Sequence, residues 1–149
     1  LMIWRYSHRF SLFGRLTWVI KKYRRFILSG MYKKDLELEI KWQRLLKNVE
    51  QMIGKKPKDL NGVLFLIGVQ ELGRGHQNFS KEEKQDLLHI AICKVLSISG
   101  FYKLEGIDED GWPHWKLVKK LPHFDLLEQE KLLKMHIIDY FNKELDLEV

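Results

Sequence analysis

The chain has a single cysteine, Cys93, which excludes an internal disulfide framework and any cysteine-based zinc cluster. It has no long apolar run. The longest uninterrupted stretch, Gly62 to Val69, is far short of a bilayer span, so no transmembrane helix is expected. The His-Glu-x-x-His metal motif, the Gly-Lys-Ser/Thr ending of a P-loop and the Gly-x-Gly-x-x-Gly of a dinucleotide turn are all missing, and no serine or cysteine nucleophile motif occurs. There is no internal repeat and no low-complexity tract. What is present is an ordinary globular composition. The 149 residues are 45% hydrophobic and 31% charged, which suits one domain and is too apolar for disorder.

The net charge of +6 invites a nucleic-acid reading, but its distribution weakens it. Residues 1–30 hold Arg5, Arg9, Arg15, Lys21, Lys22, Arg24 and Arg25 and no acid. All 20 acids lie after them, against the remaining Lys and Arg, so residues 31–149 are close to neutral. Such a body lacks the basic field of non-specific nucleic-acid binding, and nucleic acid is not an expected partner for it.

The same thirty residues hold Trp4, Tyr6, Phe10, Phe13, Trp18, Tyr23 and Phe26. Three readings compete. One is a membrane-surface helix, with Phe13, Leu16, Ile20, Tyr23 and Ile27 at helical spacing and basic residues between them. Another is an amphipathic, acid-poor targeting presequence. The third takes 1–30 as lying outside the native product, with Met31 as the start and Ser29-Gly30 as the boundary. The shift in composition at Met31 favours the third. A membrane surface is therefore a partner only through 1–30. No apolar region followed by a small-residue cleavage site is present, so a secretory signal is not expected.

The body patterns as four helices and a hairpin. Across 33–53, Leu38, Trp42, Leu45, Leu46, Val49, Met52 and Ile53 recur at three- and four-residue steps, the apolar face of an amphipathic helix that Gly54 and Pro57 stop. Asp59 caps a second helix, Leu60 to Leu72, apolar on nearly every side and therefore expected at the centre of the domain. Gly62 and Gly68 on it permit close approach of a neighbour, and Gly73 and Gly75 end it. Ser80 and Glu83 form a capping box for a third helix with Leu87, Leu88, Ala91, Ile92, Val95 and Leu96 on its face. Over 101–118 the period changes to two. With the loop at 108–111, Tyr102 faces Leu117, Leu104 faces Trp115 and Gly106 faces Pro113, while Lys103, Glu105, His114 and Lys116 fall on the other side. Asp125 and Glu128 cap a last helix, with Leu126, Leu133, Ile137, Tyr140 and Phe141 buried and Glu130 paired to Lys134. The expected fold is mainly α: a small four-helix domain with one β-hairpin between the third and fourth helices. A lone hairpin is marginal in water, so its apolar side must cover a helix face.

Two stretches concentrate costly residues. The first is Gln70 to His76, with Asp86 and His89 on the next helix. A carboxylate at Glu71, near the end of the most apolar helix, is costly unless paired, and antiparallel packing of consecutive helices lets it reach Asp86 or His89. Glu71, His76 and His89 are the candidates for acid–base chemistry or metal binding. The alternative, which we favour, is a hydrogen-bond or ion-pair network that fixes the loop between two helices. No motif calls for a cofactor or a metal. Gly73-Arg74-Gly75 reads as a helix C-terminal turn and not as a phosphate cradle. The second stretch is Trp112-Pro113-His114-Trp115. Trp115 is expected in the core, and Trp112, with His114, is the candidate partner-binding pair. A helix pair followed by a hairpin is also the layout of winged helix-turn-helix proteins, with Lys116, Lys119 and Lys120 as the basic cluster. The tip Asp108-Glu109-Asp110 would repel phosphate. Cys93, on an apolar helix face, reads as an inert core thiol.

From Leu60 onward the sequence resembles an uncharacterised family of small bacterial proteins of the Bacteroidota type. The resemblance rests on 63–73, 79–87 and 106–115 (Gly106-Ile107-Asp108-Glu109-Asp110-Gly111-Trp112-Pro113-His114-Trp115). It implies a cytoplasmic protein that starts near Met31, and it carries over no catalytic or binding residue. The expected role is a non-enzymatic protein-interaction domain, with self-association as one form of it. The alternatives are a metal-binding protein or enzyme built on Glu71, His76 and His89, or a winged-helix nucleic-acid binder.

Overall fold

A computed structural model of the chain describes residues 3–147 and 149, with side chains before residue 29 described only for Lys21, Arg24 and Arg25. The first helix, α1, runs Ile3–Ile53. It begins well upstream of the expected residue 33 and passes through Ser29-Gly30 without a break. No proline interrupts it, and an interior glycine such as Gly30 costs a helix only about 1 kcal/mol. The residues group into two units, Leu1–Glu39 and Ile40–Val149. In the first unit, Met31, Tyr32 and Leu36 are exposed.

The second unit follows the expected order. Trp42, Leu45, Leu46 and Val49 bury the last part of α1. The helix stops at Gly54, whose positive φ lets its N–H return to the Glu50 carbonyl at 2.8 Å. The second helix, α2, is Leu60–Leu72. Asp59 caps it by accepting from the Gly62 N–H at 2.9 Å, and left-handed Gly73 closes it onto Val69. Val63, Leu64, Ile67, Gly68 and Leu72 are buried, as an interior helix requires. The third helix, α3 (Lys81–Ser97), carries the reciprocal Ser80–Glu83 capping box. It is the hub of this unit, packing against α2, the last helix and both strands of the hairpin. Its burial of Leu87, Ile90, Ala91, Cys93, Val95 and Leu96 accordingly wraps more than one face. The α2–α3 contact is very close. A Cβ on Gly68 would lie 2.3 Å from the Leu87 carbonyl oxygen, a distance only hydrogen permits.

The hairpin consists of β1 (Tyr102–Ile107) and β2 (Pro113–Leu117). Tyr102 pairs with Leu117, Lys103 with Lys116 and Leu104 with Trp115, as the alternation predicts. Beyond Leu104 a bulge at Glu105 shifts the register, so Gly106 faces His114 and Ile107 faces Pro113, in place of the expected Gly106–Pro113 pair. The Phe101 carbonyl fastens the base by accepting from the Val118 and Lys119 N–H groups at 2.9 and 3.3 Å.

The last helix, α4 (Leu126–Glu144), has the Asp125–Glu128 capping box. Leu126 does not join the buried face. It is 84% exposed, because the first turn of α4 precedes the packed part of the helix, and burial becomes dense only from His136 to Phe141. Lys134 meets Glu130 at 3.0 Å and lies 5.5 Å from the centre of the Trp42 ring, tying α4 to the end of α1. His136 is buried as well. The Leu132 carbonyl only accepts, so Nδ1 carries the proton (2.8 Å), and in the neutral ring Nε2 accepts from the Ser99 hydroxyl (2.7 Å). Among the described residues no helix is long and apolar enough to cross a membrane.

The Gly68 contact yields a direct test. Gly68→Ala is expected to destabilise the protein by about 3 kcal/mol, because the obstacle is backbone and cannot rotate away. Gly62→Ala, whose Cβ would meet Pro57 Cβ at an ordinary 3.4 Å, is expected to be neutral or to stabilise by up to about 1 kcal/mol. Urea unfolding of both variants measures the contrast.

Candidate functional site

Glu71 stands one residue before the end of α2. Its carboxylate needs partners, and it finds them on α3 and α4. The Tyr140 hydroxyl donates to Oε1 at 2.8 Å, and Lys94 Nζ lies 3.8 Å from Oε2. The same Lys94 lies 3.7 Å from Glu144 Oε1. The expected reach to Asp86 or His89 does not occur: both are exposed, and Glu71 Oε1 is taken by Tyr140 on the last helix. Burial first, and then the hydrogen bond to Glu71 and the charges of Glu71 and Glu144, push the Tyr140 phenol well above its ordinary value. Tyr140 therefore stays protonated and serves as a fixed donor. The cluster clasps three helices, and its geometry suits holding and not proton transfer.

His76 is exposed in the loop after α2. His89 is exposed on α3, its Nε2 3.5 Å from Cys93 Sγ one turn along. The structure thus bonds none of Glu71, His76 and His89 to another. No group of three His, Cys, Asp or Glu side chains among the described residues is placed to hold a metal ion. Cys93 is buried, and burial pushes its thiol up to about 11, so at neutral pH it is not a nucleophile. A shallow apolar cavity of about 200 Å³ opens beside α2 and α4, lined by Val49, Met52, Ile53, Leu66, Tyr140 and Phe141. Its polar lining is Gln70 and the Tyr140 hydroxyl, and the latter is committed to Glu71, so the rest of the wall is apolar.

The hairpin is organised around Asp108. Its Oδ1 accepts from the Trp112 N–H and its Oδ2 from His114 Nε2, both at 2.8 Å. The His114 bond and then the Trp112 bond hold the Asp108 carboxyl below the usual range. Left-handed Gly111 closes the loop, its N–H donating to the Asp108 carbonyl at 3.0 Å. Trp112 is half-buried against Leu72, Phe79 and Leu87, with the Arg74 guanidinium 5.9 Å from its ring centre, so most of its surface is spent on packing. His114 stays exposed on the outer side of the sheet. Trp115 is half-buried, and its indole N–H, with no partner among the described residues, is enclosed.

The apolar side of the hairpin is incompletely covered. Tyr102 and Trp115 are half-buried, but Leu104 is 43% and Leu117 48% exposed. Ile107 and Val118 are exposed too. Among the described residues the sheet has only these two strands, so neither outer edge is paired with a further strand. Of the lysines at the base, Lys116 lies 3.8 Å from Glu105, and Lys119 sits 4.9 Å from the Phe101 ring centre. The sequence pattern names the hairpin and places Tyr140 on a buried face, but it does not show Tyr140 and Lys94 as the partners of Glu71, nor the Asp108–His114 pair. An aspartate opening a loop that ends in glycine was the readable signal for the last of these.

No family model, curated protein or solved structure matches the chain.

The clasp is tested by comparing two variants. Tyr140→Phe removes the donor and leaves Glu71 Oε1 without its bond, and is expected to cost about 1.5 kcal/mol, the low end for a hydrogen bond to a charged group. Glu71→Gln keeps an acceptor for the phenol and is expected to cost less. A larger loss from Glu71→Gln than from Tyr140→Phe in urea unfolding would show that charge and not the hydrogen bond carries the contact.

Proposed function

We propose that the chain is a non-enzymatic protein-interaction domain whose docking surface is the 102–117 hairpin. The observation that carries this reading is an open two-stranded sheet with leucines left exposed on the side that covers α3. Unpaired strand edges present a row of backbone donors and acceptors, and the group that matches them is an extended strand of polypeptide. The partner chemistry is therefore a protein segment that adds a strand, with an apolar side chain placed against Leu104 or Leu117. Asp108 stiffens the loop through its bonds to Trp112 and His114, so the edge is held in shape before a partner arrives, which lowers the entropic cost of docking.

The clasp at Glu71 supports this reading by default. It joins helices, and its tyrosine is held in one protonation state. A cytoplasmic setting fits the resemblance described above and a lone buried thiol that needs no oxidising compartment.

Photo-crosslinking side chains placed at position 104 or 117 of the full chain, in cells that express it, are expected to give adducts that map to one discrete peptide segment. The same group at Asp139, exposed on α4, is expected to give none. Absence of adducts from both hairpin positions, or equal yield from position 139, would contradict the proposal.

A further inference from the structure

We infer that Ser99 is a nucleophilic hydroxyl that accepts an acyl group from an activated ester or thioester, with His136 as the base that removes its proton. The inference goes beyond the docking reading and does not rest on it.

Hydroxyl and imidazole lie 37 residues apart in the chain, so no local motif announces them, and the fold brings Ser99 Oγ to 2.7 Å from His136 Nε2. On the other side of the ring, Nδ1 donates to the Leu132 carbonyl at 2.8 Å. That bond fixes the tautomer and leaves the Nε2 lone pair aimed at the hydroxyl. The three groups form the array that activates an alcohol: a nucleophile within reach of a base, and a base oriented by a third group.

Packing places both members. His136 is buried, in the densely packed stretch of α4. Ser99 is exposed, in the turn between α3 and β1. Its own N–H and that of Phe101 return to the Leu96 carbonyl at 3.3 and 3.2 Å, and left-handed Gly100 donates to the Ser97 carbonyl at 3.0 Å. The serine is therefore held at the base by a fixed turn, and little freedom remains to be lost when a donor arrives.

The step balances. Oγ attacks the donor's carbonyl carbon as its proton passes to Nε2. The new ester C–O bond forms, the donor's C–S or C–O bond breaks, and the proton leaves on the departing thiol or alcohol. In between, the charged ring keeps its bond to the Leu132 carbonyl, and a hydrogen bond strengthens when its donor is ionised. The same turn limits the chemistry. The N–H groups of Ser99, Gly100 and Phe101 are all spent on carbonyls, so none of them stabilises the oxyanion of a tetrahedral intermediate. Ser99 is thus modified once and is not the centre of a turnover cycle, which agrees with a non-enzymatic domain. An internal control lies two residues away: Ser97 Oγ donates to the Lys94 carbonyl at 2.6 Å, a group that cannot take the proton.

The test treats the full chain with p-nitrophenyl acetate and follows each serine by peptide mass spectrometry, using hydroxylamine to separate serine esters from lysine amides. Ser99 is expected to be acetylated about 100-fold faster than Ser97, the low end for a general base, and more slowly in heavy water. His136→Gln keeps an acceptor for the hydroxyl but takes no proton, and is expected to remove that advantage with circular dichroism unchanged. Ser99→Ala is expected to lose the ester. Acetylation of Ser99 no faster than of Ser97, a rate indifferent to heavy water, or an unchanged rate in His136→Gln would overturn the inference. The first two readouts use the unaltered chain, so they decide even if a variant fails to fold. Ser99-dependent release of nitrophenol beyond one equivalent would overturn the single-acceptor reading as well.

Discussion

The α2–α3 contact at Gly68 and Leu87 is the constraint on which the compact unit depends. Only a residue without a side chain lets the two backbones come this close. With them in contact, Val63, Leu64 and Ile67 on one helix and Leu87, Ile90 and Ala91 on the other are sealed from water. At roughly 25 cal/mol per Å² of apolar surface removed from water, burial of this kind is the main favourable term available to a chain this size. The close approach also fixes where each end of α3 lies. Its start is set by the Ser80–Glu83 box, and its end leads through Gly100 to the hairpin.

From that contact the remaining elements take their places. Leu72, Phe79 and Leu87 form the seat for Trp112, so the hairpin loop is anchored on the α2–α3 pair. The Glu71–Tyr140 bond and the shared Lys94 draw α4 onto the same pair. The hairpin then lies with one side against α3 and with its edges and tip outward. The docking surface proposed above is the part that packing leaves unfinished: two half-covered leucines beside a strand edge that no further strand pairs.

Much of this was legible in the sequence because it is local. The caps at Asp59, Ser80 and Asp125 follow from side chains that bond their own backbone within three residues. The pairing of Tyr102 with Leu117 and Leu104 with Trp115 follows from alternation. The bulge was not legible, since an extra residue at Glu105 leaves the inward set at 102, 104, 115 and 117 unchanged. The partners of Glu71 were missed for a different reason: Tyr140 is 69 residues away, and no periodicity states which of several helices packs on a given side. The exposure of Leu126 shows the converse, an apolar residue in correct helical phase but beyond the end of the surface it would cover. Upstream of residue 33 the helix runs on, because neither a glycine nor a change in composition is strong enough to stop one.

The measurement that bears most directly on the central claim is native-state amide hydrogen exchange along α2. If the Gly68–Leu87 contact organises the unit, the amides from Leu64 to Leu72 exchange only through global unfolding, with the same free energy as the matching stretch of α3 and a larger one than the hairpin edges. Exchange in α2 faster than in β1 and β2 would contradict the account, because the element assigned to the interior would then open before those it is meant to support.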